Sequence, residues 1–233
     1  MKRFYREVGV VEADGGYVVT LDGRAIKTQG RGVPQAVPTR ALAELLAGEW
    51  ARQGETIVPA DFRHRALADY AIDQIAPDPQ AAVARIMRFA ETDTLCYRAD
   101  PDEPLFRRQM EVWEPVLTRF EHRTGTGFTR VSGIVHRAQP LECLQRLADL
   151  LRREDAATLA GIETMASLAA SLVVGLEAAE PGSDPDVLWD AATLEEEWQA
   201  ELWGREYTAE ERRARRKADF LAARAFTLAA QGQ

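Results

Sequence analysis

With 233 residues, 46% hydrophobic side chains and a formal charge of -8, the chain has material for an ordinary packed core and a field that opposes phosphate backbones and anionic lipid. Nucleic acid and membrane insertion are thereby set aside as main modes of binding. Cys96 and Cys143 are too few for a disulfide framework or a metal cage, which fits a reducing compartment.

The opening MKRFYREVGVVE lacks the apolar core and small-residue cleavage site of a secretory signal, so a cytoplasmic, bacterial protein is expected. Val8, Val10, Tyr17, Val19 and Leu21 alternate around Asp14-Gly15-Gly16, and Asp22-Gly23 supplies a second tight turn. This is the pattern of an antiparallel meander. The Gly/Pro-rich QGRGVPQAVP closes it, and Thr39 is placed to cap a helix over RALAELLAGEWARQ.

From Arg65 onward the period is helical. Leu67, Tyr70, Ala71 and Ile75 share one face, and after Pro77 and Pro79 so do Val83, Ile86, Met87 and Ala90. TDTLCYRAD is short, apolar and open between types. Pro104 opens a helix with Phe106, Met110, Trp113, Leu117 and Phe120 in a seam, a kink expected at Pro115 and a stop at Gly125. Helices over 140–153, 156–179, 185–202 and 209–228 complete the chain. The run MASLAASLVVGLEAA, about 15 residues against the ~20 that span a bilayer, reads as a buried core helix. The expected fold class is α+β, with a small mainly antiparallel β domain over residues 1–60 and a larger all-α domain over 61–233.

Motifs for chemistry are sparse. His64, His122 and His136 show no metal-ligand spacing, no phosphate loop or GxSxG elbow is present, and RTGTGFTR follows no strand, so no metal, cofactor or catalytic residue is assigned. Asp69, Asp73 and His64, which helical spacing could gather, remain as the enzymatic alternative. The basic run RRARRK at 212–217 follows Glu210 and Glu211 behind a Thr208/Glu211 capping pair, which favours a solvated charged face over nucleic-acid binding.

AATLEEEWQAELWG, residues 191–204, carries the most information. Asp184 and Pro185 mark a helix start and Gly204 its stop. At roughly 100° per residue, Ala191, Leu194, Trp198 and Leu202 form a core arc, while Trp189, Glu196 and Trp203 stack on a nearly opposite stripe with Gln199 beside it. Glu195, Glu196 and Glu197 point in three directions, so they cannot converge on one substrate. The stripe can be covered by another helix, its acid can pair with Arg212 or Arg213, or it can bind a protein partner through an acid framed by indoles.

FYREVGV, LDGRAIKT, PTRALAELLAGEWARQ, AIDQI, TDTLCYRAD, LEEEWQAELWG and RRARRKADF, in that order, resemble the assembly chaperone family of the F1 sector of ATP synthase. The resemblance implies a β domain followed by an α domain, no enzymatic activity, no cofactor, and a chaperone that is a monomer when free. It further implies binding of the unassembled alpha subunit, covering the surface that beta later occupies. By motif position, the family's acidic pair falls on Glu195 and Glu196, with Gln199, Trp203 and Gly204 completing it. A general interaction module with another client is the remaining alternative.

Overall fold

The computed structural model describes residues 1–133 and 137–233, so His136 lies outside the described residues. The chain has a small N-terminal antiparallel sheet region followed by a mostly helical region, as the periodicity implies. Strands β1 (Val8–Ala13) and β2 (Gly16–Leu21) pair in antiparallel register, with Val10 opposite Val19. Asp22 (φ 49°) and Gly23 (φ 77°) make the next turn in the left-handed region. It leads to β3 (Arg24–Ala25), which pairs with β2, as does β4 (Ala36–Val37).

Val18, Val19, Thr20 and Leu21 are all buried, so β2 is the covered central strand and not a half-solvated one. Helix α1 (Arg40–Ala51) begins where expected: Thr39 Oγ1 accepts from the Leu42 N–H at 3.1 Å. Helix α2 (Arg63–Tyr70) runs into a π-helical turn over Ala71–Ile75, where the Ala76 N–H reaches the Ala71 carbonyl at 2.8 Å. That turn is the AIDQI motif. Its Asp73 accepts from the N–H groups of Gly30 (2.9 Å) and Arg31 (3.2 Å), so it caps the loop that follows LDGRAIKT.

Contacts divide the chain into a unit of residues 1–81, 154–161 and 222–233 and a unit of residues 82–153 and 162–221. This partition differs from a cut at residue 60, because the last dozen residues and a short internal segment cluster with the sheet. In the first unit, Thr39 also donates to the Ala229 carbonyl at 2.5 Å, tying the chain's end to the start of α1.

The second unit holds most of α3 (Pro79–Glu91), then β5 (Tyr97–Arg98), α4 (Pro104–Thr124), β6 (Val131–Ser132) and α5 (Leu141–Leu151). Helix α4 continues through Pro115 and stops at Gly125 (φ 64°), whose N–H returns to Glu121. TDTLCYRAD becomes a 3-10 turn at Thr94–Cys96 and strand β5, paired in parallel with β6.

The expected helix over 156–179 is two: α6 (Ala156–Ala169) and α7 (Leu172–Ala178). Ala170 takes φ 49° and Ser171 caps the second helix through the Val174 N–H. The break is filled from elsewhere in the unit: the Ala170 carbonyl accepts from the N–H and hydroxyl of Thr94, and Asp93 accepts from Ser171 Oγ (2.7 Å) and the Val173 N–H (2.9 Å). Leu172, Val173 and Val174 are fully buried, in keeping with a core role for the apolar run. Among the described residues, no helix is long and apolar enough to cross a membrane.

Candidate functional site

The segment expected as one helix from 185 to 202 also breaks. Helix α8 (Pro185–Ala192) starts on Asp184, which accepts from the N–H groups of Asp186 and Val187, and ends at Thr193 (φ -103°, ψ 14°); α9 (Leu194–Trp203) follows. Thr193 is buried, donates to the Trp189 carbonyl at 3.0 Å, and accepts from Arg213 of α10 (Tyr207–Ala230). A wheel drawn through the break therefore misplaces residues. Trp189, Glu196 and Trp203 do not form one stripe.

Their environments differ sharply. Trp189 is 1% exposed and packs on Phe220 of α10 at 5.4 Å, with the Arg216 guanidinium 5.5 Å above its ring. It is core, covered by the last helix. Trp203 is 76% exposed, and its chain neighbour Leu202 and Tyr207 at the start of α10 are exposed as well. The expected core arc holds for Ala191 and Leu194, but Trp198 is half-buried and Leu202 faces solvent. Gln199 is exposed.

The three glutamates point apart, as the helical spacing requires, and each meets a different partner. Both carboxylate oxygens of Glu196 accept from one guanidinium nitrogen of Arg216, Nη1, at 2.8 and 3.1 Å, while its Nη2 donates to the Leu168 carbonyl; the expected partners Arg212 and Arg213 lie about one turn earlier on the helix. Glu197 accepts from Arg205 and Arg213, and the Arg213 hydrogen bond is the main reason its carboxyl is held below the usual range. Glu195 accepts from Gln109 Nε2 at 2.7 Å, and partial burial raises its carboxyl against the pull of that bond. The basic run thus folds back on the acids of α8 and α9, with Lys217 reaching Asp186 at 2.6 Å. Thr208 lies inside α10 and bonds to the Glu206 carboxylate, so the Thr208/Glu211 capping pair does not form the helix start.

Gln109 and Arg216 are residues that sequence reasoning passed over. Gln109 is fully buried on α4, and its Oε1 accepts from the Ala99 N–H at 2.8 Å, which turns its amide N–H toward Glu195. It links the TDTLCYRAD segment to the acidic helix. The one available signal was a polar residue on the apolar side of the α4 seam. Gln109→Leu is expected to cost about 1–2 kcal/mol by orphaning the Ala99 N–H and to raise the Glu195 carboxyl further, because its favourable donor is gone. Carbon-detected NMR titration of Glu195, with urea unfolding alongside, measures both; an unmoved Glu195 titration would show that Gln109 does not govern it.

The residues of the enzymatic alternative, Asp69, Asp73 and His64, each have partners of their own, although the Asp73 charge is close enough to act on Asp69. Asp69 accepts from Gln35 Nε2 at 2.6 Å, Asp73 caps the 30–31 loop, and His64 Nδ1 lies 2.9 Å from Glu49, whose carboxylate also receives the N–H groups of His64 and Arg65. Each carboxylate has a local backbone or side-chain donor, although Asp73 Oδ1 is buried without a hydrogen-bond partner among the described residues. Cys96 and Cys143 are buried free thiols, and burial raises both above the ordinary thiol value. Among the described residues no group of three His, Cys, Asp or Glu could hold a metal ion.

A family model described as ATP12 chaperone protein matches residues 2–121. The Atu1473 protein from Agrobacterium tumefaciens is 39% identical, with 97% of this chain and 85% of that one covered and a TM-score of 0.92. Atp12 from Paracoccus denitrificans is 31% identical, with 98% of each chain covered and a TM-score of 0.92, and a point mutant of it matches with the same identity and score. The family match ends before α8 and α9, which the structural relatives cover. The chain belongs to the ATP12 chaperone family.

Proposed function

We propose that this chain is a chaperone for assembly of the F1 sector of ATP synthase, one that binds the unassembled alpha subunit and keeps it from self-associating until the beta subunit takes its place. The observation that carries this reading is the likeness to Atp12 over 98% of the chain, joined to the ATP12 family match. Chaperone family and fold favour a non-enzymatic role. Covering an exposed apolar subunit surface suppresses aggregation without any chemistry.

The docking surface in this reading is the solvent side of α9, with Glu195, Glu196, Gln199 and Trp203. Leu202, Trp203 and Tyr207 are 59%, 76% and 75% exposed, uncovered large side chains of the kind that anchors protein interfaces. Trp189 contributes from beneath, by holding Arg216.

Incubating the tagged chain with purified alpha subunit, then adding beta, tests the reading. Alpha should be retained and then released; no retention of alpha ends the assignment. Glu196→Lys faces Arg216 with a second cation, and since that pair is largely exposed the fold should lose no more than ~1 kcal/mol. Alpha retention is expected to fall at least tenfold with an unchanged circular dichroism spectrum. A variant that melts early instead would make Glu196 a structural residue.

A further inference from the structure

A cleft of about 510 Å³ opens in the first unit, far in sequence from α9, between the N-terminal segment, the β2–β3 turn, α1 and α2. Its wall is aromatic. Phe4 meets Tyr5 edge-on at 5.4 Å and Tyr5 meets Trp50 edge-on at 5.5 Å, and behind this wall Trp50 meets Phe62 at 4.5 Å. Tyr5, Trp50 and Phe62 are buried, whereas Phe4 at the outer end is 63% exposed. The row of rings therefore ends in an uncovered apolar face.

The charges at the cleft are cationic, against the sign of the whole chain. Arg24, Lys27 and Arg65 line it, with Asp22 as the acid. Asp22 is already engaged: its Oδ1 accepts from the N–H groups of Arg6 and Glu7 at 3.0 and 2.8 Å, and these bonds hold its carboxyl below the usual range. Arg65 stacks on Trp50 at 4.9 Å and keeps its buried Nε without an acceptor among the described residues. The indole N–H of Trp50, buried at 4% exposure, is likewise without one. Arg24, which opens β3, and Lys27, two residues past its end, are exposed and form no ion pair among the described residues.

We propose that this cleft is a docking site for an acidic segment of a protein partner, whose carboxylates meet Arg24 and Lys27 and whose apolar side chain lies against Phe4. Charge complementarity selects the sign of the occupant, since a chain of net charge -8 repels acidic peptides except where cations gather. The half-open shape suits an extended peptide. A polyphosphate is disfavoured because the N–H groups of Arg6 and Glu7 are spent on Asp22 and so are not a cradle for it. This site is independent of the α9 surface and of the identity of the client.

The test uses the full chain and a fluorescein-labelled nine-residue peptide alternating glutamate with leucine and phenylalanine. Anisotropy should report binding that weakens at least tenfold in Arg24→Glu/Lys27→Glu and fades with added salt, while a lysine-for-glutamate peptide does not bind. Both substitutions are on exposed side chains, so the melting temperature serves as the control for folding. Equal binding by the double variant, no binding by wild type, or displacement of the peptide by ATP at equimolar concentration would each overturn the proposal.

Discussion

Replacing Asp93 by alanine is expected to lower stability by about 3 kcal/mol, which at this chain length corresponds to roughly 6–12 °C in melting temperature. Asp93 is completely buried; its Oδ1 accepts from the Leu95 N–H (3.1 Å) and Ser171 Oγ (2.7 Å), and its Oδ2 from the Val173 N–H (2.9 Å). Alanine leaves three donors in a dry interior and removes the side chain that joins the 3-10 turn to the start of α7. Asparagine is a sharper probe. It keeps an acceptor for Leu95 and Ser171 but sets an amide N–H against the Val173 N–H.

The same residue makes stability depend on pH. Burial pushes the Asp93 carboxyl from 3.8 up to about 6, against the pull of the N–H donors. The folded state therefore holds the proton more tightly than the unfolded chain. The contribution is full below about pH 4 and is lost as pH rises through about 6, a change on the order of 3 kcal/mol. Urea unfolding of wild type and Asp93→Asn between pH 4 and 7 should show the wild-type advantage shrinking as pH rises. An advantage that grows with pH would mean that the donors, not burial, dominate at this carboxyl.

Gly161→Ala is expected to destabilise by about 2–3 kcal/mol through overpacking. A Cβ at Gly161 would stand 1.8 Å from Thr227 Oγ1 and 3.1 Å from the Ala223 carbonyl oxygen. Thr227 is fully buried and its hydroxyl donates to that same carbonyl at 2.8 Å, so it has neither room nor reason to turn away. The close approach of α6 and α10 depends on the missing methyl group. Thr227→Ala should cost far less alone, and combined with Gly161→Ala should recover most of the loss in thermal unfolding. Failure of the double variant to recover would place the strain on the backbone and not on the hydroxyl.

Much of the fold was legible because its signals are local. The Asp22-Gly23 turn, the Thr39 and Asp184 caps and the Gly125 stop each depend on backbone preferences or hydrogen bonds within a few residues. The length of the apolar run at 165–179, too short to span a bilayer, likewise identified it as core. The order of motifs was enough to indicate the family, and the divergence of Glu195, Glu196 and Glu197 followed from helix geometry alone.

What tertiary structure decided is where helices break and which charges meet. Ala170 breaks a mostly apolar run because Asp93 and Thr94 supply partners for the freed backbone, and that gain is invisible in the run itself. Thr193 breaks the acidic helix with help from Arg213, which turns Trp189 into the core and leaves Trp203 outside. Glu196 takes Arg216 because of how α10 lies along α9, and Gln109 reaches Glu195 across 86 residues. Periodicity fixes the face that a residue presents while the helix continues. Only packing against distant segments determines whether it continues, and hence whether an acid and an indole separated by seven residues share a surface.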